Sequence, residues 1–508
     1  MVSGIAPRLA RNSFYHAVKS VVSLLLLLVV MPYAVGVLGK ELYGIWALAA
    51  VVTSYAQLGD LGIAESVVKY AAEYHARQDG NAINRLANTV IVAYVCLASL
   101  VGGVLWLALP VIARDVLLIP AELLTEAVTV FRLSLGIFFV NLVAGVFASL
   151  ILATQQMGYA TAINIVSACL GAVGAVTFLW QGFGLRGLLL TNALVALVAT
   201  VLNVWVARRL FPCLDLRPLR WANVTTLREI MGYSWKTQTS NLAQLLIFQL
   251  DRILLSRYLG LEAVTFYEVG SNAALYVRTF VVALFAPMLP AASALQVSQE
   301  RPLLVGLYRR AFKFMALAAV VLCLLAAGLA APFMVLWMGK GFELSAVTLQ
   351  LLMPVYLLNV LTAPGVFLLN GMGRPGIAMR AAVLAAIANL VLCLPLVKFA
   401  GYYGLIAGIA VALTVSALYF WVELHRALPE ILWNSYPQAL LKPLVICMPL
   451  AMLLHIYGQV LSPMGFAVFM AGALGYLGLS GFLLLKVNYL DEFERKLLFN
   501  VFRHQGEP

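Results

Sequence analysis

The sequence predicts an all-α integral membrane protein with about fourteen transmembrane helices, built as two parallel six-helix repeats followed by two additional C-terminal helices. Hydrophobic residues make up 63% of the 508 residues and charged residues 11%, whereas charged residues are about 25% of a typical soluble domain. Apolar stretches follow one another along the chain, and short motifs recur in its two halves. The net charge of +12 fits the Lys and Arg of cytoplasmic loops. The chain has no basic tail, so we expect no nucleic acid partner.

Transmembrane segments are predicted from length, because about 20 apolar residues cross the hydrocarbon core of a bilayer as a helix. The first apolar run, from Ser20 to Leu38, is longer than the about 7–15 residues of a signal-peptide core. We therefore expect it to remain as the first helix. The predicted spans are 13–38, 41–58, 84–110, 127–152, 159–180, 184–207, 230–258, 264–291, 309–332, 345–370, 376–398, 401–424, 438–460 and 464–486.

The distribution of Lys and Arg predicts the orientation, because cytoplasmic loops of membrane proteins collect these residues. With the N-terminus placed inside, 23 of the 33 Lys and Arg residues fall on the inner side. Four lie within spans, and six fall on the outer side: Lys40, Arg114, Arg186, Arg257, Lys340 and Lys398. We therefore predict that both termini are cytoplasmic.

An internal repeat is indicated by three pairs of motifs that are separated by nearly the same number of residues. The pairs are "YAVGVLGKELYG" (33–44) with "SRYLGLEAVTFY" (256–267), "LATQQMGYA" (152–160) with "LLNGMGRPG" (368–376), and "GFGLRG" (182–187) with "GYYGLIAG" (401–408). The pairing places Gly39 against Gly260, Met157 against Met372, and Gly184 against Gly404. Chance matches of glycine would not keep one separation in this way.

Each repeat contains an even number of predicted spans, so the two copies face the same way across the membrane. Parallel repeats of this kind build secondary transporters, with the substrate site between the halves. The predicted domains are a six-helix lobe (1–207), a cytoplasmic linker (208–229), a second six-helix lobe (230–426), and two additional helices with a cytoplasmic tail (427–508).

A turn followed by a regularly charged segment, 57–80, connects spans 2 and 3, and we call it the elbow. Its Gly-Asp-Leu-Gly turn lets Asp60 cap the helix that follows. Charges of alternating sign then recur every four residues, on one helical face, at Glu65, Lys69, Glu73 and Arg77. We interpret the elbow as an amphipathic helix at the inner membrane interface. The alternative is a solvated linker helix without a function of its own.

Arg278 is a candidate functional residue because it lies midway along the predicted span 264–291. An Arg at the centre of a bilayer costs about 2.5–3.5 kcal/mol on insertion scales, so it should face a wet cavity or a partner. Tyr267 and Ser271 share its helical face, and we expect them to line the same cavity. The alternative is a structural ion pair, with Glu268 or Asp251 as the partner.

Span 7 carries a stripe of polar residues at helical spacing, which includes Asn241 and Gln244. Lys236 lies at its cytoplasmic end, and Lys19 lies at the equivalent end of span 1. A polar face on the first helix of each half is typical of a cavity wall. The alternatives are helix–helix hydrogen bonds for the amides and snorkelling to the inner interface for the two lysines.

Three further charged positions near the predicted cavity are candidates with open alternatives. Asp251 and Glu268 are the deep acids that a coupling ion could use, although Asp251 and its neighbour Arg252 could equally anchor the outer end of span 7. Arg132 lies near the outer start of span 4, where the same structural alternative applies.

Motifs for enzymatic chemistry are missing from the sequence. There is no Walker A loop and no H-E-x-x-H, and no outer connection is long enough to hold a catalytic domain. The six cysteines are scattered singly through mostly apolar runs, as packing residues are. We therefore expect no catalytic activity, no metal and no cofactor.

The motifs "LGDLGIAESVVKY", "DRILLSRYLGLEAVTFYEV", and the pair "GFGLRG" and "GYYGLIAG" resemble the polysaccharide-transporter branch of the multidrug/oligosaccharidyl-lipid/polysaccharide (MOP) exporter superfamily, which includes O-antigen and exopolysaccharide flippases. The resemblance covers nearly the whole chain. It implies V-shaped lobes that work by alternating access in a bacterial inner membrane. It also implies a polyprenyl-pyrophosphate-linked oligosaccharide as substrate, moved from the inner to the outer leaflet for surface polysaccharide biosynthesis, lipopolysaccharide included.

The resemblance implies roles for the candidate residues. The cations Lys19, Lys236, Arg278 and Arg132 would hold the pyrophosphate, and Asn241 and Gln244 would bind sugar hydroxyls. Membrane lipids, glycosyltransferases and a polysaccharide polymerase are the implied partners. Two other functions stay open: a multidrug cation antiporter of the same superfamily, and a non-transporting scaffold of a glycan-synthesis complex.

Overall fold

The computed structural model of the protein is helical throughout its described residues and contains no β-strand there. It describes residues 5–60, 62–154, 156–285, 287–297, 301–461, 465–487 and 489. The helices are α1 (Ile5–Ala56), α2 (Ile63–Ala76), α3 (Gly80–Leu97), α4 (Gly103–Val111), α5 (Ala121–Ala153), α6 (Met157–Trp180), α7 (Gly184–Leu210), α8 (Pro218–Trp221), α9 (Val224–Leu259), α10 (Leu261–Ala283), α11 (Met288–Val297), α12 (Arg301–Gly328), α13 (Ala330–Met338), α14 (Glu343–Val360), α15 (Ala363–Gly371), α16 (Gly376–Ala427), α17 (Ser435–Val460) and α18 (Phe466–Lys486).

The all-α membrane fold is therefore confirmed, whereas the count of fourteen spans is not. Within the described residues, ten helices are long and apolar enough to cross a membrane. Two of the ten, Leu25–Ala56 and Gly376–Ala427, each contain parts of two predicted spans. Helices α9 and α10, which correspond to predicted spans 7 and 8, are not among the ten. Polar side chains interrupt their apolar sequences.

Glycines break the long helices at the positions that the repeat predicts. Gly39 interrupts α1 with φ 77° and ψ 170°, and Gly260 separates α9 from α10 with φ 85° and ψ 178°. This region of backbone conformation is essentially restricted to glycine. Two glycines that were paired from sequence alone thus make the same backbone turn, which confirms this part of the repeat.

The third pair of glycines needs a correction of three residues. Gly184 has φ 56°. The same φ of 56° occurs at Gly401, where α16 is interrupted, and not at Gly404. Gly404 corresponds instead to Gly187, because both lack room for a side chain. A Cβ atom would lie 1.9 Å from the Leu396 carbonyl oxygen at Gly404, and 2.9 Å from the Cβ of Phe178 at Gly187.

Predicted span 8 differs from the structure at its inner end. Helix α10 ends at Ala283 and α11 begins at Met288, so a turn that contains Pro287 falls inside the predicted span 264–291. A proline lacks the backbone N–H that helix propagation needs, which explains why the helix does not continue. The apolar composition of the turn concealed this break from the sequence analysis.

The elbow contains the predicted helix, α2, and Asp60 caps it. The Asp60 carboxylate accepts a hydrogen bond from the backbone N–H of Ala64 at 3.3 Å. The exposed face carries the alternating charges, with an ion pair of 2.6 Å between Glu73 and Arg77. The apolar face is packed inside the protein, where Val67 and Ala71 are fully buried. This face therefore contacts neighbouring helices, and the location of the elbow at the inner membrane interface stays a prediction.

Contacts divide the chain into two compact units. Unit 1 comprises Met1–Glu268 and Ala382–Ile409, and unit 2 comprises Val269–Ala381 and Ala410–Pro508. A core of unit 1 contains Val67, Leu86, Val90, Tyr94 and Leu150. A core of unit 2 contains Tyr308, Phe312, Phe420, Leu424 and Tyr436. The domain boundaries that the sequence predicts from the repeat stay a prediction.

Candidate functional site

Unit 1 encloses a cavity of about 810 Å³, which we call the unit 1 cavity. Its walls combine aromatic rings, amides, hydroxyls and one carboxyl group. Helix α1 lines the cavity with Trp46 and Thr53 on one face, and Gln57 follows directly after the end of the helix. The other lining residues are Ala49, Ala50, Asp60, Ala64, Tyr94, Ser134, Ile137, Phe138, Asn141, Leu142, Gly145, Asn192, Leu245 and Gln249.

The polar lining residues come from helices whose sequences are otherwise apolar. Helix α5 presents Ser134, Phe138 and Asn141 at intervals of three and four residues, so they share one face. Helix α7 contributes Asn192, and α9 contributes Gln249. A polar side chain in an apolar helix is costly unless it meets a partner or water. The unit 1 cavity brings these polar side chains together.

Asp60 is the charged group of this cavity. Its carboxylate accepts hydrogen bonds from the Tyr94 hydroxyl and from the backbone N–H of Ala64. Burial raises the pKa of the Asp60 carboxyl above its ordinary value, while these hydrogen bonds and one from the Gly62 backbone act in the opposite direction. No Lys or Arg occurs among the described lining residues. The cavity is therefore suited to neutral or cationic groups.

Four predicted site residues have side chains outside the described part of the structure: Lys19, Lys236, Asn241 and Gln244. Their helices, α1 and α9, are present. Their roles stay predictions. Arg132 is described, and its Nε donates to the Trp106 carbonyl oxygen at 3.3 Å. Its guanidinium lies 5.3 Å from the centre of the Trp106 ring, and it does not line the unit 1 cavity.

Arg278 lies in unit 2, five residues before the end of α10 at Ala283. The expectation that it occupies the middle of its helix was therefore wrong, because the turn at Pro287 shortens that helix. The Nε of Arg278 donates to the Asn359 side-chain oxygen at 2.9 Å. Its guanidinium lies 5.9 Å from the centre of the Tyr356 ring. An amide and an aromatic face thus hold this arginine at the end of α14.

Asp251 and Glu268 have other partners than Arg278. Glu268 forms an ion pair with Arg252, and their side chains are only 14% and 11% exposed. The Tyr267 hydroxyl donates to the Asp251 carboxylate at 2.7 Å. These contacts link α9 to α10 within unit 1, which agrees with the anchoring alternative for this acid–base pair.

The second oxygen of Asp251, Oδ1, has no hydrogen-bond partner among the described residues, although the residue is only 2% exposed. The Asn389 amide donates to the carbonyl oxygen of Ile247, one helical turn before Asp251. Tyr267 and Ser271 are both buried and are not lining residues of the unit 1 cavity. Their expected place in a cavity wall around Arg278 stays a prediction.

Sequence analysis missed most of the unit 1 cavity. Asp60 was identified only as a helix cap, and Tyr94, Asn141, Asn192 and Gln249 were not singled out. A signal was present, because each of the three amides interrupts an apolar run. Which of these residues face one another depends on helix packing, which the sequence pattern leaves open.

The sequence signature of one protein family, described as polysaccharide biosynthesis protein, matches residues 9–296. That is more than half of the chain. The chain belongs to this family. Family membership agrees with the resemblance drawn from the sequence motifs, and the ten apolar helices are those of a multi-pass membrane protein.

The chain is also similar to a curated relative. The chain is 23% identical over 330 residues to the uncharacterized membrane protein EpsK of Bacillus subtilis (strain 168), covering 61% of this chain and 62% of EpsK. The match therefore spans less than two thirds of that relative's length.

Two kinds of transporter structure share the fold. The lipid II flippase MurJ, in an inward closed conformation, matches with a TM-score of 0.74 and 11% identity, covering 94% of this chain and 99% of MurJ. An inward-facing multidrug resistance MATE family transporter of the MOP superfamily matches with a TM-score of 0.69 and 15% identity, covering 81% and 98%. Both structures share the fold of this chain, and the second is described as a member of the MOP superfamily, to which the sequence motifs also point.

Proposed function

We propose that the protein is a flippase that moves polyprenyl-pyrophosphate-linked oligosaccharide from the inner to the outer leaflet by alternating access. One observation carries this proposal: a cavity of about 810 Å³ with polar and aromatic walls inside a unit of apolar helices. A glycan cannot cross lipid unaided, because each of its hydroxyl groups loses hydrogen bonds to water there. A polar chamber offers replacement partners.

The family gives this chamber a substrate class. The chain belongs to a polysaccharide biosynthesis family, and a related fold is that of a lipid II flippase. Both facts favour a glycan on a lipid carrier. Amides such as Asn141 and Gln249 bind hydroxyl groups, and rings such as Trp46 contact the apolar faces of sugars. The volume falls within the range of about 300–1,000 Å³ that is usual for ligand pockets.

The pyrophosphate requires cations, and the unit 1 cavity has none among its described residues. We assign this role to Arg278, with Lys19 and Lys236 as additional candidates from the sequence. A guanidinium suits phosphate oxygens because its donors form a planar fork. Arg132 is a further candidate, and its Nε donates to the Trp106 carbonyl oxygen as that of Arg278 does to Asn359.

For energy coupling, Asp251 is a better candidate than Glu268. Glu268 is committed to its ion pair with Arg252. Asp251 keeps one buried oxygen without a partner among the described residues, and a proton or a small cation would satisfy it. The proposal places the protein in a bacterial inner membrane with both termini in the cytoplasm, beside glycosyltransferases and a polysaccharide polymerase.

A second candidate function is export of cationic drugs. Asp60 in a cavity without described bases is the observation that favours it, because a carboxylate attracts a cation. The fold is shared with a multidrug transporter, so the fold does not decide between the two functions.

Deletion of the gene and complementation separate these functions in the cell. A flippase mutant should accumulate lipid-linked oligosaccharide on the cytoplasmic face and lose surface polysaccharide, with unchanged sensitivity to cationic drugs. The wild-type chain should restore the polysaccharide. Increased drug sensitivity with normal surface polysaccharide would support the antiporter instead.

A further inference from the structure

We infer that the unit 1 cavity is a sugar subsite that selects glycans without acidic groups, with Asp60 as the selecting residue. This inference rests on the proposed flippase function and extends it to the class of sugar. It concerns sugars with hydroxyl, acetamido or amino groups, as opposed to uronic acids and other anionic sugars.

The position of Asp60 is fixed by the chain around it. The Tyr94 hydroxyl and the Ala64 backbone N–H both donate to the carboxylate, as suits an ionised acceptor. Tyr94 is 2% exposed, so it offers a rigid anchor. Gly62, with φ 73°, begins α2 in a left-handed conformation and lets the chain turn directly after Asp60. These hydrogen bonds therefore hold the carboxylate in place when a ligand binds.

The negative charge of the Asp60 carboxylate gives the selectivity against anionic sugars. The described lining residues contain one carboxylate and no Lys or Arg, so an anionic sugar would meet a negative charge and no cation among these residues. Juxtaposed like charges in a binding site are strongly unfavourable. A hydroxyl or amino group, in contrast, can donate a hydrogen bond to the same carboxylate.

The other walls of the cavity match the rest of a sugar. Trp46 and Phe138 contribute aromatic rings that suit the C–H groups of a pyranose, and Asn141, Asn192 and Gln249 contribute both donors and acceptors. Such a lining recognises neutral polar groups without requiring a charge. The cavity volume of about 810 Å³ leaves room for more than one sugar ring.

The test compares two lipid-linked disaccharides that differ at one functional group. Both carry the same polyprenyl pyrophosphate, and they end in either glucose or glucuronic acid. Transport of each is measured in proteoliposomes that contain the full-length chain. We expect the neutral substrate to move at least about tenfold faster, the size of effect that like-charge juxtaposition gives.

Variants of the cavity then test whether Asp60 is responsible. Asp60→Asn should bring the two rates together, and Asn141→Asp, which adds a second carboxylate, should widen the ratio. Glu65→Gln on the exposed face of α2 is the matched control and should leave the ratio unchanged. Since Asp60→Asn replaces the carboxylate that accepts from both Tyr94 and Ala64 and can impair folding, Asn141→Asp provides an independent readout.

Three outcomes are distinguishable. Equal rates for both substrates in the wild-type protein would overturn the inference while leaving the flippase function intact. An unchanged ratio in a folded Asn141→Asp variant would also overturn it. Failure of the wild-type protein to move either substrate would contradict the proposed function itself.

Discussion

Replacing Glu268 by Gln separates a structural role of this acid from a role in ion coupling. The substitution removes the charge and keeps the shape, so Arg252 loses its counter-ion in a buried position. The side chains are 14% and 11% exposed, and water therefore screens the remaining charge poorly. Removing one partner of a buried ion pair costs about 3–5 kcal/mol. Because both side chains keep slight exposure, we expect about 3 kcal/mol.

The double variant Arg252→Met with Glu268→Met provides the internal comparison. It removes both charges of the pair, so neither is left buried without its partner. Replacement of a buried ion pair by apolar residues of similar volume is often neutral or stabilising. We therefore expect the double variant to be more stable than Glu268→Gln and within about 1 kcal/mol of the wild-type protein.

An exposed ion pair of similar geometry serves as the control. Glu73 and Arg77 lie 2.6 Å apart, but their side chains are 40% and 67% exposed. Exposed pairs contribute about 0–1 kcal/mol, so Glu73→Gln should hardly change the stability. The free energy of unfolding is measured by titrating the purified proteins from mild detergent into a denaturing detergent, with circular dichroism as the readout.

One result would refute this reasoning. If Glu268→Gln unfolds like the wild-type protein but transports no substrate, the acid serves coupling and its ion pair contributes little to stability. Loss of transport in proportion to loss of folded protein, with recovery in the double variant, would support the structural role.

Three further predictions follow from the same observations. Gly39→Ala should destabilise the protein by about 1–3 kcal/mol because its backbone conformation is restricted to glycine, while Gly36→Ala, at a site with open space around it, should not lower the melting temperature. Arg278→Ala should reduce transport about 10- to 100-fold at matched protein levels, since a hydrogen bond to a charged group is worth about 1.5–3 kcal/mol. Arg278→Lys should keep partial activity. Wild-type transport rates in Arg278→Ala would exclude the pyrophosphate role. Reporter fusions after Arg220 should indicate cytoplasm and fusions near Lys340 the outside, and an outside signal at Arg220 would contradict the even-span repeat.

The sequence was sufficient for the helical membrane fold because that fold depends on local composition. Apolar runs of the right length become helices wherever they occur, and glycine alone adopts the breaks at Gly39 and Gly260. The same reasoning failed at Pro287, because the turn around it is as apolar as the helix before it. The position of Arg278 along its helix was wrong for that reason.

The unit 1 cavity could not be derived in this way because it depends on which helix faces meet. Asp60 and Tyr94 are separated by more than thirty residues and come together only through the packing of α3 beside the elbow. The cap at Asp60 is a local feature and was predicted correctly. Its second role, as the charge of a cavity, requires the tertiary structure.

Direct observation of lipid transport tests the central claim. Purified protein is reconstituted into liposomes that carry a polyprenyl-pyrophosphate-linked oligosaccharide with a fluorescent sugar, and an impermeant quencher reports the fraction in each leaflet. The flippase account predicts transfer between leaflets that depends on the protein and is slowed by Arg278→Ala. Protein-independent distribution of the lipid, together with protein-dependent export of a cationic dye from the same liposomes, would contradict it.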